Sequence, residues 1–217
     1  MRPIALPAAP DPDPFSDPLS AAVMIEMGER GYPAIGIDDV ARRAGVTVAE
    51  FRRRFRDLDH CALDTYERAL AYFERLVGGA YNARPDWRSG LRAAANEAAD
   101  LLEEQPYLAR FGNTEILRMR DEMARVRREE LFIFCAEMID QGREESPDPQ
   151  AVPKAASVLA VGSIIQLLTH RLQEGAPISF QDAARESIYG IVRTYLGVEA
   201  AEEELAVSRS TSVLATR

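Results

Sequence analysis

The chain has 217 residues, 47% of them hydrophobic and 28% charged, and a net charge of −9. That is an ordinary globular mix, long enough for a real core, and its acidity excludes indiscriminate coating of nucleic acid while leaving room for a local basic patch. No charged start leads into an apolar leader, and the longest charge-free run of the second half, 155–170, is too short for a membrane span, so a cytoplasmic protein is expected.

Residues 1–16 hold five prolines with Asp11 and Asp13 and read as a disordered tail. Asp17-Pro18 then has the form of an N-cap followed by proline at N1, which starts a first helix running to about Arg30. Next comes 37–55, IDDVARRAGVTVAEFRRRF. Ile37, Val40, Ala41 and Ala44 give a short helix one apolar face, and Gly45 can end it in the left-handed conformation. Thr47 and Glu50 form a capping box for a second short helix. That helix buries Val48, Phe51 and Phe55 and turns Ala49, Arg52, Arg53 and Arg56 outward. An Arg-rich helix held against an apolar partner across a tight turn suits a DNA major groove. The same pattern also fits a plain helical hairpin with a solvated face.

The residues before it decide how the pattern is read. Ala21-Ala22, an apolar stripe and Glu29-Arg30-Gly31-Tyr32 lead into Asp39-Val40-Ala41, the Ala44-Gly45-Val46 turn, and Phe51 and Phe55. In order and spacing this resembles the DNA-binding part of the TetR family of transcriptional regulators, over about 45 residues. The resemblance implies that Gly36, Thr47, Val48, Ala49, Arg52, Arg53 and Arg56 meet DNA. It is incomplete. Ile35 and Gly36 stand where the family has a Thr pair, Arg52 where it has Tyr, and Leu58 where it has Lys. The acids Asp11, Asp13 and Asp17 stand where the family often has basic residues. Arg52, Arg53, Arg54 and Arg56 can supply replacement phosphate contacts.

A fourth helix is expected from Leu58 to Val77, capped by Asp57 and ended by Gly78-Gly79. A fifth, from about Asp86, carries Trp87, Leu91, Ala94, Ala95, Ala98, Leu101 and Leu102. A short sixth spans 106–112. A long seventh runs from about Thr114 to Gln141, its first half salt-bridged and its second half apolar all round. The eighth, 154–173, has two apolar faces, one of them lined by small residues. The ninth follows Ser179 and ends at Gly197, and 198–217 reads as a loose tail. The whole is therefore all-α, with about nine helices. It divides into a disordered tail at 1–16, a helix-turn-helix part at 17–60, an effector-binding and dimerisation part at 61–197, and the tail at 198–217.

Catalytic motifs are missing. His60 and His170 lie in separate segments, Cys61 and Cys135 are far apart, and no phosphate-binding or nucleophile-elbow loop occurs. Neither an enzyme nor a metal or cofactor site is expected. By the resemblance, the body would hold a small, mostly apolar effector. The candidate lining is Trp87, Tyr107, Phe111, Met119, Met123, Phe134 and Met138, with Gln166 and His170 as polar anchors. Ordinary core packing is the competing reading of all of these. The last two helices would form a homodimer through Ala155, Leu159, Gly162, Ser163, Ile188, Ile191 and Tyr195. The implied partners are a palindromic double-stranded operator, an apolar effector and a second copy of the chain. The alternative is a helical interaction protein of the same fold that has lost operator binding.

Overall fold

The computed structural model describes residues 1–9, 13–174 and 179–214, which are helical and contain no strand. The segments are α1 Pro18–Arg30, α2 Ile37–Ala44, α3 Val48–Arg54, α4 Leu58–Asn82, α5 Trp87–Glu104 and α6 Pro106–Arg110. After them come α7 Ile116–Arg118, α8 Glu122–Asp140, α9 Gly142–Glu145, α10 Ala156–Glu174, α11 Phe180–Leu196 and α12 Val198–Leu214. A 3-10 turn, Tyr32–Ala34, joins α1 to α2, and a π-helical turn, Phe111–Glu115, joins α6 to α7.

The starts of the helices lie where capping chemistry puts them. Asp17 accepts from the Leu19 N–H, Thr47 from Glu50, Asp57 from His60, Asp86 from Ser89 and Ser179 from Asp182. Each satisfies an N–H that the helix itself leaves without a partner. Gly45 takes φ 71° at the end of α2, which lets α3 turn back against it.

Two cores hold the helices together. The first joins Val23 and Met27 of α1 to Val40, Phe51, Phe55, Cys61 and Tyr66. It continues into Leu101, Leu108, Phe111 and Ile116, so the N-terminal helices share their core with the rest of the chain. The second gathers Val77, Tyr81, Trp87, Leu91, Met138, Ile139, Val192 and Tyr195.

The structure departs from the sequence expectation in four places. First, α4 runs through Gly78-Gly79 to Asn82. Glycine inside a helix costs about 1 kcal/mol, but here Gly78 makes a close approach possible. A Cβ on it would lie 2.5 Å from Leu6 Cδ2 and 3.0 Å from Phe134 Cζ. Second, the expected long seventh helix is broken. Arg120 takes φ 57°, and Asp121 accepts from the Met123 and Ala124 N–H groups to start α8 afresh. Third, residues 1–7 pack on the body. The Ile4 N–H donates to Asn82 Oδ1 at 2.8 Å, Asn82 Nδ2 donates to the Ile4 carbonyl at 2.9 Å, and the Ile4 side chain enters the second core. Ile4 gives this segment an apolar side chain to bury, and Leu6, though 41% exposed, rests against Gly78. Fourth, the acidic stretch after Gly197 is a helix. Its Glu204 is buried between Arg88 at 2.7 Å and Arg92 at 2.7 Å, both on α5.

Candidate nucleic-acid interface and ligand chamber

The capping box at the start of α3 is closed in both directions. Thr47 Oγ1 accepts from the Glu50 N–H at 3.1 Å, and Glu50 Oε2 accepts from the Thr47 N–H at 2.8 Å. Phe51 and Phe55 are buried, their rings 5.6 Å apart, and that fixes which face of α3 turns outward. Thr47, Ala49, Arg52, Arg53 and Arg56 are exposed on it, while Val48 is half-buried against the core.

The arginines do not all do the same work. Arg54 binds Asp17 with both guanidinium nitrogens and lies 4.8 Å over the Phe55 ring. It is a strut within the fold and not a phosphate contact. Arg56 Nε donates to the neighbouring Asp57 at 2.6 Å. Arg53 faces Glu50 at 3.6 Å. Arg52 has no ion pair or hydrogen bond among the described residues. The Gly36 N–H donates to Asp39 Oδ2 at 3.0 Å, so Asp39 already occupies the backbone group that a phosphate would use. Exposed Arg42, in the last turn of α2, adds a cation that sequence reasoning passed over, although it too contacts Asp39, at 2.5 Å.

Two buried carboxylates fasten this face. Asp17 lies between Arg54 of α3 and Arg68 of α4. Burial pushes its carboxyl up, but the hydrogen bonds and charge of Arg54, then of Arg68, outweigh that and hold it at about 2. Glu26 of α1 takes Arg43 at 2.7 Å and Arg30 at 2.9 Å. A third carboxylate reaches across from the body. Glu115, in the π-helical turn, is fully buried and accepts from the Tyr32 N–H at 2.9 Å, with Arg110 and Arg118 at 3.5 and 3.6 Å.

Behind this face lies an apolar chamber. Two cavities, of about 170 and 180 Å³, share Phe73, Leu102, Cys135, Ile139, Ile164 and Leu168 in their walls. Four alanines of α5, Ala94, Ala95, Ala98 and Ala99, leave one of them open. Polar groups are few: Ser187 in one cavity, Asn113 and Arg128 in the other. Removal from water pushes the Cys135 thiol up to about 12, as it does the Tyr66 hydroxyl.

Of the nine residues expected to line a ligand site, Met138 alone lines this chamber. Trp87 is a core anchor, its Nε1 donating to the Met138 carbonyl at 2.9 Å and its ring 5.4 Å from that of Tyr195. Phe111 packs on Tyr66, and the Tyr107 hydroxyl donates to Glu29 at 2.8 Å. Phe134 meets the N-terminal segment at Gly78. Met119 packs half-buried against the first core, and Met123 is 45% exposed. The break at Arg120–Asp121 swings these two away from the register of one long helix. Gln166 and His170 face outward, with His170 Nδ1 3.3 Å from Glu174. The signal that would have found the chamber is the run of alanines, small where their neighbours need volume.

The α10–α11 surface carries an open groove of about 420 Å³, walled by Leu159, Ala160, Ser163, Leu167, Gly190 and Thr194 among others. Leu159 is 64% exposed and Val158 50% exposed. Ala155 and Ser163 are exposed too, and Gly162 is half-exposed. Ile188, expected on this surface, is instead buried and lines the chamber, and Ile191 and Tyr195 are buried at the groove floor. Helix α11 is short of outward apolar residues because its stripe serves the core of its own chain.

Among the described residues, no three His, Cys, Asp or Glu side chains are placed to hold a metal ion, and no helix is long and apolar enough to cross a membrane. No protein-family model matches the chain, and no curated protein does. Solved structures do. The fatty acid degradation regulator FadR of Bacillus halodurans has a TM-score of 0.72 at 16% identity, over 85% of this chain and 97% of that one. FadR of Bacillus subtilis, solved in complex with stearoyl-CoA, has 0.66 at 15% identity, over 83% and 97%. A TetR-family regulator from Marinobacter aquaeolei VT8 has 0.59 at 18% identity, over 83% and 96%. This chain therefore has the all-α fold of the TetR-family transcriptional regulators.

Proposed function

We propose that the protein is a ligand-responsive, DNA-binding transcriptional regulator of TetR type, working as a homodimer on a palindromic operator in the cytoplasm. The observation that carries this reading is the outward face of α3. Thr47, Ala49, Arg52 and Arg53 are exposed there on a helix whose other side is locked by Phe51 and Phe55. Arg52, having no partner among the described residues, is free to meet a base edge or a phosphate. Binding should be salt-sensitive, because phosphate neutralisation releases counterions.

Two such heads are needed for a palindrome, and the α10–α11 groove supplies the surface. An apolar patch around Leu159 and Val158 suits an isologous contact with a second copy. The chamber supports an apolar, chain-like effector whose polar end lies near Arg128 and Asn113 in its wall. Stearoyl-CoA, bound in the B. subtilis structure, is a chain-like ligand held by a protein of the same fold. Effector and operator would then oppose one another, with a coupling of about 1–3 kcal/mol. Selection of genomic fragments on the immobilised protein, followed by footprinting with and without stearoyl-CoA, tests the whole reading. A short protected palindrome that is lost on adding ligand supports it, and no enriched fragment at low salt rejects it.

A second reading is a helical interaction protein that has lost operator binding. The internal pairing of Arg54 and Arg56 and the occupied Gly36 N–H favour it. Absence of retention on heparin at low salt would select it.

A further inference from the structure

The N-terminal segment 1–7 runs along α4, the helix that leads from the α3 face into the body. Pro7 O accepts from Arg75 Nη1 at 3.0 Å. Leu6 closes on Gly78, and the Ile4 backbone is held by the two-way hydrogen bond with Asn82. At its far end the Arg2 N–H donates to Gln141 Oε1 at 2.6 Å, and Arg2 pairs with Glu144 at 3.1 Å. Further along the chain, Phe15 stacks edge-on against Tyr72 at 5.1 Å, and Asp17 grips Arg54 and Arg68. Ascending residue number on the segment meets descending residue number on α4, so the two are antiparallel over most of the length of the helix.

The faces of α4 give this its meaning. Tyr66, Ala69, Leu70, Phe73 and Val77, which line the chamber, are spaced i, i+3, i+4, i+7 and i+11 and share one face. Tyr72, Arg75, Gly78 and Asn82, which meet the N-terminal residues, lie roughly half a turn round from them. Helix α4 is thus clasped between the chamber on one side and the segment on the other. Residues 1–7 are fixed at their far end to Gln141 and Glu144, and separately Asp17, at the start of α1, holds the last residue of α3.

We propose that the N-terminal segment is a splint on α4 that sets how freely the α3 face can move relative to the body. It rests, for its regulatory consequence, on the reading of the protein as a DNA-binding regulator. With the splint in place, α4 resists displacement toward its outer side when the chamber fills. Without it, the DNA-binding face samples more orientations, and apparent operator affinity falls in proportion to the fraction that remains competent.

The test uses the full chain. Ile4→Asp with Leu6→Asp removes the apolar grip, and Ala5→Asp, at an exposed position between them, adds charge without touching α4. Amide hydrogen exchange is followed along α4 in the three proteins. In the double variant, exchange over residues 72–82 is expected about tenfold faster, with α1–α3 unchanged and Ala5→Asp like the wild type. Uniform exchange in all three proteins overturns the proposal. So does a speeding-up spread evenly over every helix, which would mean loss of global stability instead of local release. Affinity for a selected operator fragment is expected to fall about tenfold in the double variant alone; an unchanged affinity with faster α4 exchange overturns the regulatory role. If the wild type retains no DNA at all, the regulator reading fails, and the exchange data still decide the splint.

Discussion

Replacing Asp17 by Asn tests the joint that holds α1, α3 and α4 together. Asn keeps the size of the side chain and an oxygen to cap the Leu19 N–H, so what it removes is the charge between Arg54 and Arg68. The folded carboxyl sits at about 2 against an ordinary 3.8. At about 1.4 kcal/mol for each pH unit, that difference corresponds to roughly 2.5 kcal/mol of stability. The pKa is depressed in the folded state, so the contribution is fully present at neutral pH and is lost as pH falls from about 4 through about 2. The Asp17 side chain is almost wholly buried but its first partner, Arg54, is 40% exposed, so solvent screening takes part of this away and the figure is an upper one. Losing one member of a buried ion cluster can cost more, about 3–5 kcal/mol, because two guanidiniums are left facing each other. Arg68 keeps Asp64 at 2.9 Å, which favours the lower figure. Urea unfolding of wild type and Asp17→Asn at pH 7 should therefore differ by about 2–3 kcal/mol, or roughly 5–10 °C in Tm. The gap should close as the pH is lowered to about 2. A difference under about 0.5 kcal/mol at pH 7, or one that stays constant down to pH 2, would refute the reasoning.

Three further outcomes are expected. A Cβ on Gly190 meets nothing within 4 Å in one protomer, so Gly190→Arg should fold normally yet sediment as a monomer, and a wild type that is already monomeric at micromolar concentration would remove the dimer. Arg52→Ala and Arg53→Ala should each weaken DNA binding and lower the salt slope by about 1 if they contact phosphate, whereas Glu50→Gln should keep its cap, unfold within about 0.5 kcal/mol of wild type and bind all sequences more tightly; a base-specific loss with Glu50→Gln would instead make Glu50 a reader of cytosine. Ala98→Phe should fill the chamber and abolish the rise in melting temperature on adding stearoyl-CoA, and an undiminished rise would place the ligand elsewhere.

How far the sequence carried the fold depends on the range of the interactions involved. Capping residues are local, and Asp17, Thr47, Asp57 and Ser179 all stand where they were expected, while Asp86, expected only as the start of the fifth helix, proves to be its cap. The outward face of α3 was also legible, because two phenylalanines four residues apart fix its rotation. Positions set by long-range contact were not. Gly78-Gly79 has the form of a helix end, yet α4 continues to Asn82, and the missing side chain at Gly78 leaves room for Leu6 and Phe134. The aromatics and methionines of the body suggested a ligand site, but Trp87 and Phe111 went to the core, where large apolar side chains bury the most surface. The chamber is instead made by what is missing at Ala94, Ala95 and Ala98, and missing volume leaves no pattern until the facing helices are in place.

Charge shows the same limit from another direction. Residues 17–60 hold eight acidic side chains and seven arginines, so the segment is slightly acidic as a composition. The fold sorts them. Asp17 binds Arg54 and Arg68, Glu26 binds Arg30 and Arg43, and Asp39 binds Arg30 and Arg42. Asp17 and Glu26 are buried between helices, where their charge is met by arginines, of which Arg68 faces inward and Arg30, Arg43 and Arg54 reach the surface. Arg52 and Arg53 remain at the surface of α3, opposed there by Glu50, whose Oε2 is engaged by the cap and whose Oε1 lies 3.6 Å from Arg53. The local field at that face is therefore more positive than the residue count, and the field, not the count, meets an approaching phosphate. The same sorting removes Asp17 from the acidity near the N-terminus, because it is buried and its charge is met by Arg54 and Arg68, whereas Asp13 stays exposed.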